Sequence, residues 1–235
     1  MKADSVLLYY ITDRKAFPGD EPTRRRRLLD KIAEAASQQI DYIQLREKDL
    51  STRDLEALAR EAMQIIGEKR KLTTDHWPLA TALLINSRTD VALATAANGV
   101  HLPANDISPQ EVRTAWQSKC GAGAPLTSSG QALARDSLPS PLIGVSCHSP
   151  QEVFDAAANQ ASFAVLAPVF EKKDTQPAGL EALTQACRAR IPVLALGGVT
   201  LQNAQSCLKA GAAGIAAIRL FQENDISKIV RHLPS

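Results

Sequence analysis

The sequence predicts an α/β protein that folds as a single (β/α)₈ TIM barrel. Short apolar, strand-like runs alternate with helical patterns from one end of the chain to the other. The alternation gives eight strands, each followed by a helix, and 235 residues suit one domain of this size. A doubly wound open sheet is the alternative. That fold ordinarily carries a glycine-rich phosphate turn after its first strand, and Thr12-Asp13-Arg14 is not such a turn.

The predicted strands are short runs of β-branched, aromatic and aliphatic residues, which suit a buried pleated surface. In chain order they cover Val6–Thr12, Asp41–Arg46, Ala82–Ile85, Gly99–Leu102, Leu142–Ser146, Phe163–Ala167, Pro192–Leu196 and Ile215–Ile218.

The predicted helices carry apolar stripes, and several have clear start signals. Ser51 with Asp54 forms a capping-box-like start, and two Ser-Pro pairs place a cap before a proline at the first helical position. The helices are expected at about Thr23–Gln39, after Ser51, at Thr89–Ala97, after Ser108, after Ser149, and at Leu180–Arg190, Leu201–Ala210 and Asp225–Leu233.

One segment interrupts this alternation. Residues 118–141 are rich in Gly, Ala, Ser and Pro and contain no apolar stripe. We expect a surface insertion in a single domain of residues 1–235. A domain linker is less consistent with the sequence, because the alternation resumes in phase directly after the segment.

Composition excludes several classes of function. The net charge is +2, and the only basic run, Arg24–Arg27, reads as the exposed start of an amphipathic helix. We therefore expect no nucleic-acid partner, and no apolar run is long enough to indicate a membrane partner. Four widely spaced cysteines favour reduced thiols, and hence a cytoplasmic protein, over disulfides or a zinc site. The sequence is compatible with a homo-oligomer.

The most informative stretch is Asp41–Asp49, which begins as a strand and ends in charged residues. In extended chain, Gln44, Arg46 and Lys48 project to the same face. An amide, a guanidinium and an ammonium group on one face predict an anion site, with phosphate as the natural ligand. The alternative is a strand end whose two cations are solvated and neutralised by Glu47 and Asp49.

The C-terminal ends of the other strands are also polar, and a barrel of this kind places its site there. Nearly all of the residues selected by register alone can bind a ligand or donate a proton. They are Thr12, Asp13, Gln44, Arg46, Lys48, Asn86, Ser87, Asp106, Ser146, His148, Glu171, Lys172, Lys173, Gly197, Gly198 and Arg219.

Particular chemistry is expected at several of these positions. Gly197-Gly198 stands just before a helix start, which favours a phosphate site over a plain tight turn. His148 can act as a general acid or base, because an imidazole titrates near neutral pH. His101, inside a strand, is expected to form hydrogen bonds within the core, and Cys147 to pack on the opposite face.

Six motifs in this order and spacing resemble one family. They are Tyr10-Ile11-Thr12-Asp13, Gln44-Leu45-Arg46-Glu47-Lys48, Ile85-Asn86-Ser87-Arg88, Gly99-Val100-His101-Leu102, Ser146-Cys147-His148 and Ala195-Leu196-Gly197-Gly198-Val199. Together they resemble thiamine-phosphate synthase and its relative, the thiazole tautomerase. The resemblance covers almost the whole chain, apart from the insertion.

The resemblance to the synthases implies that a pyrimidine diphosphate is coupled to a thiazole phosphate, with pyrophosphate released and Mg²⁺ as cofactor. These small phosphorylated molecules would be its partners. The implied catalytic residues are Arg46, Lys48, Ser146 and His148. Asp106 is the implied metal ligand, and the implied substrate-binding residues are Gln44, Asn86, Lys172, Lys173, Gly179, Gly197, Gly198, Ile218 and Arg219.

The chain departs from the synthase pattern at three places. Ser87 stands where a Mg²⁺ carboxylate is expected, the loop after the sixth strand looks shorter, and Arg219 replaces a small residue. The tautomerases lack the Mg²⁺ carboxylates and transfer protons with a His at the position of His148. A tautomerase, and a barrel that binds a phosphorylated ligand without turnover, are therefore the alternatives to the synthase.

Overall fold

The fold is a closed barrel of eight parallel strands. The computed structural model describes residues 6–72, 81–121, 140–170 and 176–233. Each strand pairs in parallel with the next along the chain, and the last pairs with the first. The predicted TIM barrel is confirmed. The strands are β1 Leu7–Ile11, β2 Tyr42–Leu45, β3 Ala82–Asn86, β4 Gly99–Leu102, β5 Leu142–Cys147, β6 Phe163–Leu166, β7 Val193–Ala195 and β8 Gly214–Ala217.

Helices follow the strands and cover the outside of the barrel. Two short elements were not predicted, because a single turn carries no apolar periodicity: a 3₁₀ helix at Arg14–Ala16 and α8. The α-helices are α1 Glu21–Ser37, α2 Thr52–Leu72, α3 Thr89–Thr95, α4 Pro109–Gly121, α5 Pro150–Ala158, α6 Gly179–Ala186, α7 Leu201–Lys209, α8 Arg219–Gln222 and α9 Ile226–His232.

Local capping explains where the helices begin. Ser51, Ser108 and Ser149 each accept a hydrogen bond, at 3.2 Å, from the backbone N–H three residues on, as predicted. Helix α1 begins at Glu21, two residues earlier than expected. The reason is Asp20, whose carboxylate accepts from a backbone N–H in the first turn and so acts as the cap.

Alternation along the strands gives the barrel two apolar layers. Tyr9, Leu84, Phe163 and Leu194 belong to a cluster that fills the barrel interior. The larger cluster joins the outer faces of the strands to the helices. Because parallel strands are buried on both faces, nearly continuous apolar runs are what the sequence shows.

The predicted insertion is only partly within the described residues. Helix α4 runs to Gly121, so residues 118–121 belong to this helix and the predicted boundary was wrong there. Residues 122–139 lie outside the described part of the chain. The limits of the domain remain a prediction. In the described ranges, no helix is both long and apolar enough to cross a membrane.

Candidate active site

A set of polar side chains faces the interior at the C-terminal ends of β2 to β5. The Gln44 amide donates to Asn86 Oδ1 at 2.7 Å. On the next two strands, His101 Nε2 lies 2.8 Å from Ser146 Oγ, and His101 Nδ1 lies 3.1 Å from the Tyr9 hydroxyl. Two hydrogen-bonded pairs, Gln44 with Asn86 and His101 with Ser146, therefore lie side by side on one wall of the barrel.

His101 is buried, and its environment keeps it neutral. Burial, and then the nearby positive charge of Arg46, lowers the pKa of the imidazole to about 3. A neutral imidazole has one donor and one acceptor nitrogen, which matches its two hydroxyl partners. Gly144 leaves room for the ring, because a Cβ there would lie 2.7 Å from His101 Nδ1. The predicted hydrogen bonding of His101 in the core is confirmed.

The prediction that Gln44, Arg46 and Lys48 share one extended face was wrong for Lys48. Strand β2 ends at Leu45, and Lys48 lies exposed in a turn that is closed by the Leu50 N–H donating to the Glu47 carbonyl at 3.2 Å. Alternation still places half-buried Arg46 on the side of Gln44, consistent with its effect on His101.

Lys48 lies beside the ends of β2 and β3. It lines a cavity of about 320 Å³ together with Asn86, Ser87 and Arg88 from the end of β3, and with Leu45 and Leu55 of the outer apolar cluster. Arg88 is paired with Asp90 at 2.6 Å, so its charge is already compensated. The turn after β2 thus keeps Lys48 close to the end of β3, although it does not lie on the extended face of Gln44.

Glu47 and Asp49 do not pair with Arg46 and Lys48, so the alternative interpretation of this stretch was wrong about the neutralising partners. Both carboxylates bind Arg14: its Nη1 lies 3.1 Å from Glu47 Oε2 and 2.7 Å from Asp49 Oδ1. Within the described residues, neither the Arg46 guanidinium nor the Lys48 ammonium makes an ion pair or a hydrogen bond. Two cations at the barrel mouth are therefore free to bind an anion.

Thr12 and Asp13 have structural roles. The buried Thr12 hydroxyl donates to Glu47 Oε1 at 2.6 Å and accepts from the Arg46 N–H at 3.0 Å. The backbone of Asp13 exchanges two hydrogen bonds with the Gln222 amide, which ties the end of β1 to α8. Both residues lie at the barrel mouth, as predicted, but the bonds described here support the strand ends.

Gly197 and Gly198 form the turn between β7 and α7. Both have positive φ angles, +93° and +66°, and a Cβ at Gly197 would lie 2.6 Å from the Pro168 Cβ. The Asn203 side chain accepts from the Thr200 N–H at 2.7 Å and donates to the Gly198 carbonyl at 2.9 Å. The predicted turn and helix start are confirmed, while the phosphate site itself stays a prediction.

The remaining substrate-binding candidates surround this turn or lie outside the described residues. Gly179 has φ +82°, open space where a Cβ would stand, and an N–H that donates to the Val169 carbonyl at 3.2 Å. Ile218 packs on the interior cluster, and Arg219 is exposed at the start of α8. Lys172 and Lys173, with Glu171, lie in the undescribed range 171–175.

His148 is exposed, and its ring is anchored. Its Nδ1 lies 2.8 Å from the carbonyl oxygen of Ala167, which can only accept, so Nδ1 carries the proton of this hydrogen bond. The backbone N–H of His148 donates to Glu152 Oε2 at 2.8 Å. Nε2 is the nitrogen left for a ligand. The neighbouring Cys147 is buried, and burial raises the pKa of its thiol to about 12, which confirms its predicted packing role.

The residues available to a metal supply few carboxylates. Exposed Asp106 accepts from the Ile107 N–H through Oδ1 at 2.8 Å and lines a cavity of about 210 Å³ that Ser146 also lines. Among the described residues, no three Asp, Glu, His or Cys side chains come together as a metal centre. One carboxylate fits Mg²⁺ when substrate phosphates supply further oxygens.

Arg14 was missed at the sequence level, as were the contacts that link Tyr9 to Ser146 through His101. Two of the acidic partners of Arg14, Glu47 and Asp49, are 33 and 35 residues away in the chain. The sequence signal for such a pairing lay at the end of β2, where two acidic residues alternate with two basic residues.

Comparison with known proteins decides the family. The sequence model of the thiamine monophosphate synthase family matches residues 8–138 and 130–221, which is most of the chain. The chain belongs to the thiamine monophosphate synthase family. Among curated synthases it is 34% identical over 232 residues to the thiamine-phosphate synthase of Methanoculleus marisnigri, covering 96% of this chain and 92% of that one.

Two further comparisons support the same family. The thiamine-phosphate synthase of Clostridium acetobutylicum is 31% identical over 222 residues, covering 93% of this chain and 88% of that one. Among solved structures, the thiamine phosphate pyrophosphorylase from Pyrococcus furiosus superposes with a TM-score of 0.71 at 27% identity, covering 97% of this chain and 93% of that one. The family resemblance seen in the sequence motifs is confirmed.

Proposed function

We propose that this chain is a thiamine-phosphate synthase, a transferase that couples 4-amino-5-hydroxymethyl-2-methylpyrimidine diphosphate to a thiazole phosphate and releases pyrophosphate. Family membership supports the reaction class. The observation that carries the proposal is the charge at the barrel mouth: Arg46 and Lys48 have no ion pair among the described residues, although Glu47 and Asp49 are their chain neighbours. Unpaired cations at a strand end suit a diphosphate.

In the proposed reaction, the bond between the pyrimidine methylene carbon and the diphosphate oxygen breaks. Its electron pair leaves with pyrophosphate, and the lone pair of the thiazole nitrogen forms the new C–N bond. Arg46 and Lys48 stabilise the negative charge that builds up on the leaving group. Lys172 and Lys173 are assigned to the same substrates on the family pattern alone.

The polar wall orients the pyrimidine. Gln44 donates through its amide nitrogen to Asn86, so its carbonyl oxygen is free to accept from the pyrimidine amino group. Ser146 contacts the substrate near the leaving oxygen, with its hydroxyl oriented by His101. Fixed donors and acceptors of this kind lower the barrier chiefly by positioning the reactants.

The opposite side of the mouth takes the thiazole phosphate. Gly197 and Gly198 let the backbone approach the phosphate closely, and the start of α7 supplies backbone N–H groups that donate to its oxygens. Gly179 and Ile218 complete this side, and the Arg219 guanidinium, which makes no ion pair with the residues that the structure describes, adds a cation.

Mg²⁺ is the proposed cofactor. Asp106 would hold the ion, with the Ser87 hydroxyl at the position of the missing carboxylate, and the diphosphate would supply further oxygens. When bound, Mg²⁺ neutralises charge on the diphosphate and so makes pyrophosphate a better leaving group.

The test is direct synthesis with the purified protein. Both phosphorylated substrates are supplied with and without Mg²⁺, and thiamine phosphate and pyrophosphate are quantified together. Equal amounts of the two products, dependent on Mg²⁺, would support the proposal. The proposal fails if neither product forms under conditions in which a known synthase, assayed in parallel, is active.

Thiazole isomerisation is a second candidate function, favoured by one observation. His148 is exposed, its Nδ1 is anchored on a carbonyl, and Nε2 is left available for proton transfer. The same assay, run with the thiazole tautomer as the only substrate, detects this reaction by the change in the thiazole spectrum.

A further inference from the structure

We propose that Arg14 is a positioning residue of the diphosphate subsite. By binding Glu47 and Asp49, it fixes the turn that carries Lys48 and keeps the Asp49 carboxylate away from Arg46 and Lys48. The inference rests on the proposed function, because it assigns a role towards the diphosphate. It adds a residue from the β1 end that lies outside the six sequence motifs.

The geometry is that of a clamp. The two Nη atoms of Arg14 hold Asp49 in a fork, at 2.7 and 2.9 Å, and Nη1 also reaches Glu47 Oε2 at 3.1 Å. Its Nε donates to Glu21 Oε1 at 2.6 Å, so the guanidinium joins α1 to the turn after β2. A planar guanidinium can make these directed contacts together, whereas an ammonium cannot reproduce the fork.

The clamp acts on the residues on both sides of Lys48. Glu47 immediately precedes it and Asp49 immediately follows it, and both side chains bind the same guanidinium. The position of the Lys48 backbone is therefore set from both sides. The backbone of Arg46 is tied to the same support, since its N–H donates to Thr12 Oγ1, which itself binds Glu47.

The two carboxylates that the Arg14 clamp holds differ in burial. Arg14 is 4% exposed and Glu47 is also 4% exposed, whereas the Asp49 side chain is 38% exposed. Glu47 would keep the Thr12 hydroxyl and the Arg14 backbone N–H if the guanidinium were removed. Asp49 would keep only the solvent-exposed Lys15, a weak partner. Asp49 is thus the carboxylate that Arg14 withholds from the cations of the site.

A salt bridge could also serve stability alone, and the two roles predict different binding data. If Arg14 only stabilises the barrel, its removal should affect both sides of the mouth or neither. If it positions the diphosphate subsite, pyrophosphate affinity should fall while thiazole phosphate affinity at the glycine turn is retained. Removing the freed carboxylate should then restore the part of the pyrophosphate affinity that was lost to its competition for the cations.

The experiment measures the affinity of full-length variants for pyrophosphate with Mg²⁺, and separately for the thiazole phosphate, by calorimetry. For Arg14→Gln we expect pyrophosphate affinity to fall by about tenfold or more, the scale of a charge-assisted hydrogen bond, and thiazole phosphate affinity to change by less than about twofold. In Arg14→Gln/Asp49→Asn, pyrophosphate affinity should recover to within about threefold of the wild type.

Two further variants serve as controls for these affinity measurements. Arg25→Gln removes an arginine of α1 whose pair with Glu61 lies on the helical surface at 2.9 Å, and it should leave both affinities unchanged. Arg14→Lys keeps a positive charge without the fork and should show an intermediate loss of pyrophosphate affinity. It provides the measurement if thermal melts show that Arg14→Gln is unfolded.

The outcomes separate this inference from the proposed function. Suppose that the wild type forms thiamine phosphate and that Arg14→Gln has the same affinity for pyrophosphate as the wild type. The inference is then overturned, and the proposed function is not. Parallel loss of both affinities, with no recovery in the double variant, also overturns it in favour of a structural role. If the wild type neither binds pyrophosphate nor forms product, the proposed function and the inference fail together.

Discussion

The imidazole Nε2 of His101 lies 2.8 Å from the hydroxyl oxygen of Ser146, on the inner wall of the barrel. On the other side of the ring, the hydroxyl of the fully buried Tyr9 lies 3.1 Å from Nδ1. Ser146 of the proposed site is therefore hydrogen-bonded to a titratable group that is almost completely buried. This makes the stability of the barrel, and the orientation of Ser146, depend on the protonation of His101.

The first prediction concerns acid stability. Because burial lowers the pKa of His101 from 6.5 to about 3, the unfolded chain binds one more proton than the folded chain between these values. The stabilisation is complete above pH 6.5 and is lost as the pH falls towards 3. Between pH 7 and pH 5, the wild type should lose about 2 kcal/mol more unfolding free energy than His101→Gln.

Urea denaturation at the two pH values measures this difference. His232→Gln, which removes an exposed histidine of α9, is the control and should follow the wild type. Equal losses in the wild type and His101→Gln would contradict the account of a buried, neutral imidazole.

The second prediction concerns the anion site. Arg46→Ala should weaken pyrophosphate binding in the presence of Mg²⁺ by about 1.5–3 kcal/mol, the range for hydrogen bonds to charged groups. Calorimetry measures the change. Arg113→Ala is the control, because Arg113 binds the Gln160 carbonyl at 2.9 Å on the outside of the barrel. Unchanged affinity in Arg46→Ala would mean that this cation does not bind the diphosphate.

The third prediction concerns the metal. Ser87 has φ +58°, a left-handed conformation that Asp tolerates well, so Ser87→Asp should fold normally and add a carboxylate. We expect Ser87→Asp to reach half-maximal activity at a lower Mg²⁺ concentration than the wild type. Ser87→Ala, which adds no carboxylate, should show no such gain. Full wild-type activity in EDTA would rule out the metal-dependent synthase.

The fourth prediction concerns the glycine turn. Ala at position 197 must adopt a positive φ and meets Pro168, so Gly197→Ala should lower the unfolding free energy by more than about 1 kcal/mol and weaken thiazole phosphate binding. Gly67 in α2 has open space around it, so Gly67→Ala should raise stability by about 0.5–1 kcal/mol. Denaturation and calorimetry test both. Gly197→Ala with wild-type stability and affinity would contradict the turn's proposed role.

The fifth prediction separates the two candidate reactions. His148→Asn should retain most thiamine phosphate formation, because coupling depends on charge stabilisation, and should abolish any thiazole isomerisation. General acid–base groups typically contribute about 10²–10⁴-fold, so the outcomes are well separated. Both reactions are followed in the wild type and the variant, with a thermal melt as the control for folding. A fall in coupling by that factor would give His148 a catalytic role in the synthase.

The sequence predicted the barrel because its signals are local. Strand runs, Ser caps and the turn at Gly197 depend on residues a few positions apart, and all of these were found. It also placed His101 in the core, since an imidazole within an apolar strand has few other options. The oligomeric state and the cytoplasmic location stay predictions.

The side-chain pairing at the β2 end could not be predicted in the same way. Charge counting assigned Glu47 and Asp49 to the nearest cations, Arg46 and Lys48. The fold instead presents Arg14, more than thirty residues earlier, because a short 3₁₀ helix turns it beneath the strand end. Strand periodicity likewise failed at Lys48, where the chain had already entered a turn.

Under the proposed function, the two sides of the mouth come from opposite ends of the chain, the diphosphate side from β2 to β5 and the thiazole side mainly from β7 and β8. Only the pairing of β8 with β1 closes the ring and brings these sides face to face. Thiamine phosphate formation would therefore report completion of the barrel during refolding. Under the proposed function, no product can form before this last pairing has been made.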